Sequence, residues 1–203
     1  MITLIIIAAC IVFSLLAFNN AAIFEKYLFS SYAIQHSKQY YRILTHAFLH
    51  GDFMHLAFNM YALYLFGGML EEAFCTPTLF DGRGEFLYAA LYLGGIIFSS
   101  LPDLALHKNN YNYRSVGASG AVNAIVFSAI LIHPTMGMGI MFIPFFIPAW
   151  LFGILYLAYS WYMSKRGGDN IGHNAHFFGA LFGFGFTLVL KPALFMAFIE
   201  QVF

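Results

Sequence analysis

Charge is what this chain most lacks. Of 203 residues, 9 are Lys or Arg and 9 are Asp or Glu, so charged residues make up 9% and the net charge is zero. An ordinary soluble domain carries about 25%. Such a surface does not keep a globule in water, and with no basic field there is nothing to hold a nucleic acid. Disorder is excluded too, because 61% of the residues are apolar. Cysteine is nearly absent: Cys10 lies in an apolar run and Cys75 beside a loop, which builds no disulfide framework. No Lys or Arg precedes Ile7-Ala8-Ala9-Cys10, which loosely resembles a lipoprotein cleavage site, and the apolar run continues to Phe18. A cleaved signal has a charged start and ends its apolar run before the cut. Residues 1–18 are therefore expected to be a first membrane span.

Apolar length is what the chain has instead. Six stretches, 1–18, 53–70, 86–101, 116–133, 139–163 and 172–190, read as helices in lipid. They predict an all-α integral membrane protein, a six-helix bundle forming one domain over 1–203. Pro144 and Pro148 in the fifth stretch predict a kinked or frayed start there.

Against this background 8 His stand out, nearly as many as Lys and Arg together. Ionisable groups are costly in lipid and need a reason to persist. His55 and Asn59 are four apart, on one helix face, and both can donate hydrogen bonds. They suit either an inter-helix polar contact or a binding site for developing negative charge. His46 and His50 repeat the spacing near the water boundary, as interfacial residues or metal ligands. Ser119 sits in Gly117-Ala118-Ser119-Gly120, about one turn into the fourth stretch. Small residues there suit close packing, while free N–H groups at a helix start suit a nucleophile. His176, Gly179 and Gly183 share one face of the last stretch. If that face packs around Ser119 and Gly120, His176 can take the serine proton. His173 is the rival base, nearer the water boundary. Together these residues make an acyl-transfer set, a Ser–His dyad with no acidic third member, since no Asp or Glu lies inside a span nearby.

The sequence at this point resembles the rhomboid family of intramembrane serine proteases. The likeness rests on four ordered blocks: Tyr41 to His50 with Arg42; His55 to Asn59 with Gly67-Gly68 and Glu71; Gly117 to Gly120; and Ala175-His176 with Gly179 and Gly183. It implies that Ser119 is the nucleophile and His176 the base, and that His55 and Asn59, with the Ser119 N–H, hold the oxyanion. It implies no cofactor or metal, transmembrane protein segments as substrates, and the lipid bilayer as surroundings. It also implies a movable fifth helix, a cytoplasmic N-terminus, and a site open to the outer side of a cell (inner) membrane. Two features depart from the family pattern. Asn123 stands where the family commonly has an aromatic residue against the base. The loops that would lie inside carry two basic residues, Arg83 and Lys191, against seven outside, which is opposite to the positive-inside rule. Two other readings remain, a catalytically inactive relative that binds membrane helices, and a metal-binding protein using His46, His50, His55, His173 and His176.

Overall fold

The computed structural model describes residues 1–139, 145–169 and 171–203. It opens with α1 (Ile2–Phe18). The long loop that follows holds α2 (Ala21–Tyr27), α3 (Ser31–Ser37), α4 (Arg42–Thr45) and a 3-10 turn over His46–Phe48. Capping explains the first two. The Asn20 side chain accepts from the N–H groups of Ala22 and Ile23, and the Ser30 hydroxyl accepts from Ala33 N–H. Arg42, only 9% exposed, holds the segment together by donating to the carbonyls of Glu25 (2.9 Å) and Leu28 (2.7 Å).

Next come α5 (Phe53–Ala62), a π-helical turn over Leu63–Gly67, and α6 (Gly68–Cys75), forming one helix of 23 residues from Phe53 to Cys75. After α7 (Pro77–Phe80) runs α8 (Gly84–Leu106), also of 23 residues. α9 (Ser119–Ile132) leads to β1 (Gly137–Gly139) and β2 (Phe146–Pro148), which pair antiparallel. The chain ends with α10 (Ala149–Arg166), α11 (His173–Leu190) and α12 (Ala193–Val202).

The fold is helical and of membrane type. The helices Phe53–Cys75 and α8 are long and apolar enough to cross a bilayer, and α11 with α12 pass together as a pair bent by 114°. α1, with 17 residues, and α9, with 14, are shorter apolar helices. Among the described residues, length and composition alone therefore support two or three crossings, and the expected six are not all reached by that criterion.

Two expectations need correction. The chain is not purely helical, because β1 and β2 form a ribbon where the fifth stretch was expected to begin. Its helix starts only at Ala149, and Pro148, with φ −56° and ψ 142°, stands before that helix instead of kinking it. Proline fits there because the N–H it lacks has no intrahelical partner. Pro144 lies outside the described residues. Ser119 is also not a turn into its helix; it is the first helical residue, because Gly117 has φ +125° and breaks the helix before it.

α9 is the centre of the molecule. Apart from Ser119, Asn123 and Ile132, all its residues are buried. α11 packs against it backbone to backbone. A Cβ on Gly179 would run into the Gly120 carbonyl, and one on Gly183 into that of Ala124. α8 approaches from another side, where a Cβ on Gly95 would meet Ala124 Cβ at 2.9 Å. Ser128 and Thr187 tie α9 to α11 lower down, their hydroxyls 2.6 Å apart.

Candidate active site

The start of α9 is where the sequence-selected residues meet. Ala118 offers no side-chain cap to the helix, so among the described residues its first N–H groups have no intrahelical or side-chain partner. Ser119 is half-buried at this end. The turn before it is held by Gly117 N–H, which donates to the His46 carbonyl at 3.0 Å, and by Ser115, whose backbone pairs with Phe29 in both directions at 2.9 and 3.1 Å.

His55 closes on this turn from α5. Asp52 caps that helix, its Oδ1 accepting from His55 N–H at 2.8 Å, and this sets where the imidazole starts. The ring lies against Gly117, where a Cβ would sit 2.8 Å from both Cε1 and Nε2, so only glycine permits the approach. His55 Nδ1 accepts a long bond from Gly51 N–H (3.4 Å), which leaves the ring hydrogen on Nε2, beside Gly117. Asn59 is buried one turn on. Its amide donates one hydrogen to the His55 carbonyl at 2.9 Å, and the other has no acceptor among the described residues.

His176 comes from the opposite side on α11. A Cβ on Gly120 would lie 3.5 Å from the Ala175 carbonyl, so the neighbours Ser119 and His176 flank this helix contact. His176 precedes Gly183 by about two turns and shares its α9-facing stripe; His173 is rotated about 80° from Gly183. His173 Nε2 donates to Asp169 Oδ2 at 3.1 Å, and that bond lowers the Asp169 carboxyl from its ordinary value. The two histidine rings are 6.1 Å apart. Among the described residues no hydrogen bond joins Ser119 Oγ to His176; such bonds are often long before substrate binds and tighten with it.

His46 and His50 border the site from behind: the His46 carbonyl holds the Gly117 turn, and the His50 ring lies 5.0 Å from that of His55. Both are buried, at 8% and 0% exposure, rather than clustered at a water-facing end. His46 Nε2 donates to the Ser100 hydroxyl (3.1 Å), and His50 Nδ1 pairs with the Ser14 hydroxyl (2.9 Å). They fasten the loop to α8 and α1. No group of three His, Cys, Asp or Glu converges on a metal position among the described residues.

Two neighbours of the site carry no local signature in the sequence. The ring of Tyr156, from α10, stacks beside His176 at 6.5 Å and 22°. Asn123, on α9, donates to the Ser119 carbonyl at 2.8 Å. Tyr156 also walls an apolar cavity of about 370 Å³ between β1, β2 and α10, shared with Met138, Ile147, Phe152 and Leu155. The other neighbour is Asp103, buried at the end of α8 and bonded to Asn174. This corrects the expectation that no acidic residue lies inside a span nearby: the apolar run ends at 101, but α8 continues through Asp103 to Leu106.

A family model described as the Rhomboid domain matches residues 37–193, a span that contains His55, Asn59, Ser119 and His176. Among curated proteins, "RHOMBOID-like protein 12, mitochondrial" of Arabidopsis thaliana is 33% identical over 156 residues, covering 71% of this chain and 44% of its own length. The chain thus spans less than half of that relative.

Proposed function

The chain belongs to the rhomboid family, and from that premise we propose that it is an intramembrane serine endopeptidase acting through a Ser119–His176 dyad. The observation that carries the reading is the convergence at one helix start. Ser119 opens α9, the His55 ring covers the turn before it, and the Ala175–Gly120 contact brings α11 alongside. His176 deprotonates Ser119, which attacks the scissile carbonyl. His55 Nε2–H, the free Asn59 amide hydrogen and the Ser119 N–H stabilise the oxyanion. His176 then protonates the leaving amine, and water cleaves the acyl-enzyme by the reverse roles.

The chain acts as a single domain of six membrane-embedded helices. With 14 residues, α9 is about 21 Å long, shorter than the roughly 30 Å hydrocarbon core, so Ser119 sits below the bilayer surface. Substrates are transmembrane segments of other proteins. Their backbone must leave helical geometry before Ser119 can reach a peptide bond, which favours segments with helix-breaking residues. The N-terminus is cytoplasmic and the site opens outward. Of the seven outer basic residues, Arg114 is paired with Glu25, which lessens the charge asymmetry that opposes this orientation.

The test is purified protein with a fluorophosphonate probe and a labelled transmembrane peptide. Parent protein is expected to label and cleave, whereas Ser119→Ala and His176→Ala lose both. Cleavage by Ser119→Ala at the parental rate overturns the mechanism. A parent that binds the peptide but neither labels nor cleaves is the inactive relative.

A further inference from the structure

The mechanism above uses no acidic residue, yet the chain buries a carboxylate next to the site. Asp103, 4% exposed, lies in the last turn of α8. Its Oδ1 accepts from Asn174 Nδ2 at 2.9 Å, and its Oδ2 accepts from the Tyr113 hydroxyl at 2.6 Å. Its own backbone is fastened as well, with Ser31 Oγ donating to the carbonyls of Asp103 (3.2 Å) and Leu104 (2.8 Å).

What the two arms hold is telling. Asn174 stands two residues before His176, in the first turn of α11. Tyr113 stands six residues before Ser119, in the loop that delivers it. That loop is further fixed by stacking of Tyr113 on His107 (3.7 Å, 8°) and by the edge of Phe29, whose backbone pairs with Ser115. One carboxylate therefore grips both chain segments that carry the dyad. A buried carboxylate is costly unless its oxygens are hydrogen-bonded, and here each has a donor. The glycine contact between α9 and α11 sets how close the helices come, but a surface without side chains resists sliding poorly. Asp103 supplies the missing stop at the site end.

We propose that Asp103 is a positioning residue that bridges Asn174 and Tyr113, and so sets the register of His176 against Ser119. The inference rests on the dyad reading. Its test uses the full chain in detergent and reads the fluorophosphonate labelling rate, the unfolding temperature and amide exchange over Asn174–Phe178. Asn174→Asp sets two carboxylates face to face and should slow labelling about 10- to 100-fold, in line with the effect of small misplacements on catalysis. Amide exchange at the start of α11 should rise with it. Adding Asp103→Asn restores one donor and one acceptor across the contact while still offering Tyr113 an oxygen. The double variant should return to within a few-fold of the parent in labelling and in exchange. The proposal is overturned if the double variant is no better than Asn174→Asp. It is equally overturned if Asn174→Asp lowers the unfolding temperature while its folded fraction labels at the parental rate. If the parent itself does not label, the dyad reading fails, and the exchange data still decide whether the bridge exists.

Discussion

Replacing Gly179 by alanine tests whether backbone contact between α9 and α11 builds the site. The added Cβ would run into the carbonyl of Gly120, the residue after Ser119. The obstacle is backbone, so no side chain can swing aside. Ordinary Cβ contacts begin near 3.4 Å, and α11 must therefore withdraw by more than an ångström. Overpacking of this kind costs about 1–3 kcal/mol. Alanine returns about 1 kcal/mol over glycine in a helix interior. The net loss of about 0–2 kcal/mol leaves a folded protein. Catalysis is less tolerant: a displacement near 1 Å costs about 100-fold, equivalent to about 2.7 kcal/mol of barrier. Gly185→Ala is the control, because a Cβ there meets nothing within 4 Å. It should keep full activity and gain up to about 1 kcal/mol of stability. The assay pairs fluorophosphonate labelling with thermal unfolding in one detergent. Parental labelling by Gly179→Ala would show that this contact does not set the distance between Ser119 and His176.

The other expectations are narrower. His55→Ala and Asn59→Ala should each slow peptide cleavage about 100- to 1,000-fold with little change in substrate affinity, which a kcat-against-KM split will show. Tyr156→Phe should keep the ring beside His176 and the parental labelling rate, while Tyr156→Ala should slow labelling between about twofold and tenfold; equal rates for the two variants would remove the ring from the site. A double-mutant cycle on Ser128→Ala and Thr187→Val, followed by unfolding, should give a coupling near 0.6 kcal/mol. Asp169 supplies the pH dependence. The hydrogen bond from His173 holds its carboxyl below the ordinary 3.8. A depressed value means that the bond's contribution is complete above about 3.8 and fades as pH falls through the lower folded value. Acid should therefore lower the protection of the Ile171 and His173 amides, read as exchange relative to the free-peptide rate at each pH, and Asp169→Asn should remove that acid step.

What could be read from the sequence, and what could not, follows a physical line. Helices and the candidate residues on them were legible wherever the signal is local. The His55–Asn59 spacing, the glycine-flanked Ser119 and the Gly179–Gly183 stripe each depend on residues within about two turns of one another. The stripe does pack on Gly120 and Ala124. Spacing also marked His46 and His50 as notable, but periodicity tells which face a side chain occupies and not what waits there. Hydroxyls on two other helices turned them into fasteners. Asp103 is the extreme case, since its partner Asn174 lies 71 residues away. Tyr156 is another, because it adjoins His176 only once α10 is docked.

The same distinction bears on how the proposed Ser119–His176 dyad does without an acidic third member. A carboxylate bonded to a catalytic histidine orients the ring and stabilises its charged form. Here the orienting duty is divided. The Tyr156 ring lies beside His176, the glycine stripe sets the separation of the helices, and Asp103 holds both chain segments from behind. None of the three places a negative charge on the imidazole itself. Only the stabilising half of the acid's task is then left out, and in a water-poor pocket a base that stays neutral until it takes the serine proton is the form the first step requires. Ring position and ring charge are thus separable in this chain. Tyr156→Ala and Asp103→Ala should lower the labelling rate without shifting the pH at which labelling reaches half its maximum. A matching shift of that midpoint in either variant would mean that the residue acts on the charge of His176 and not on its place.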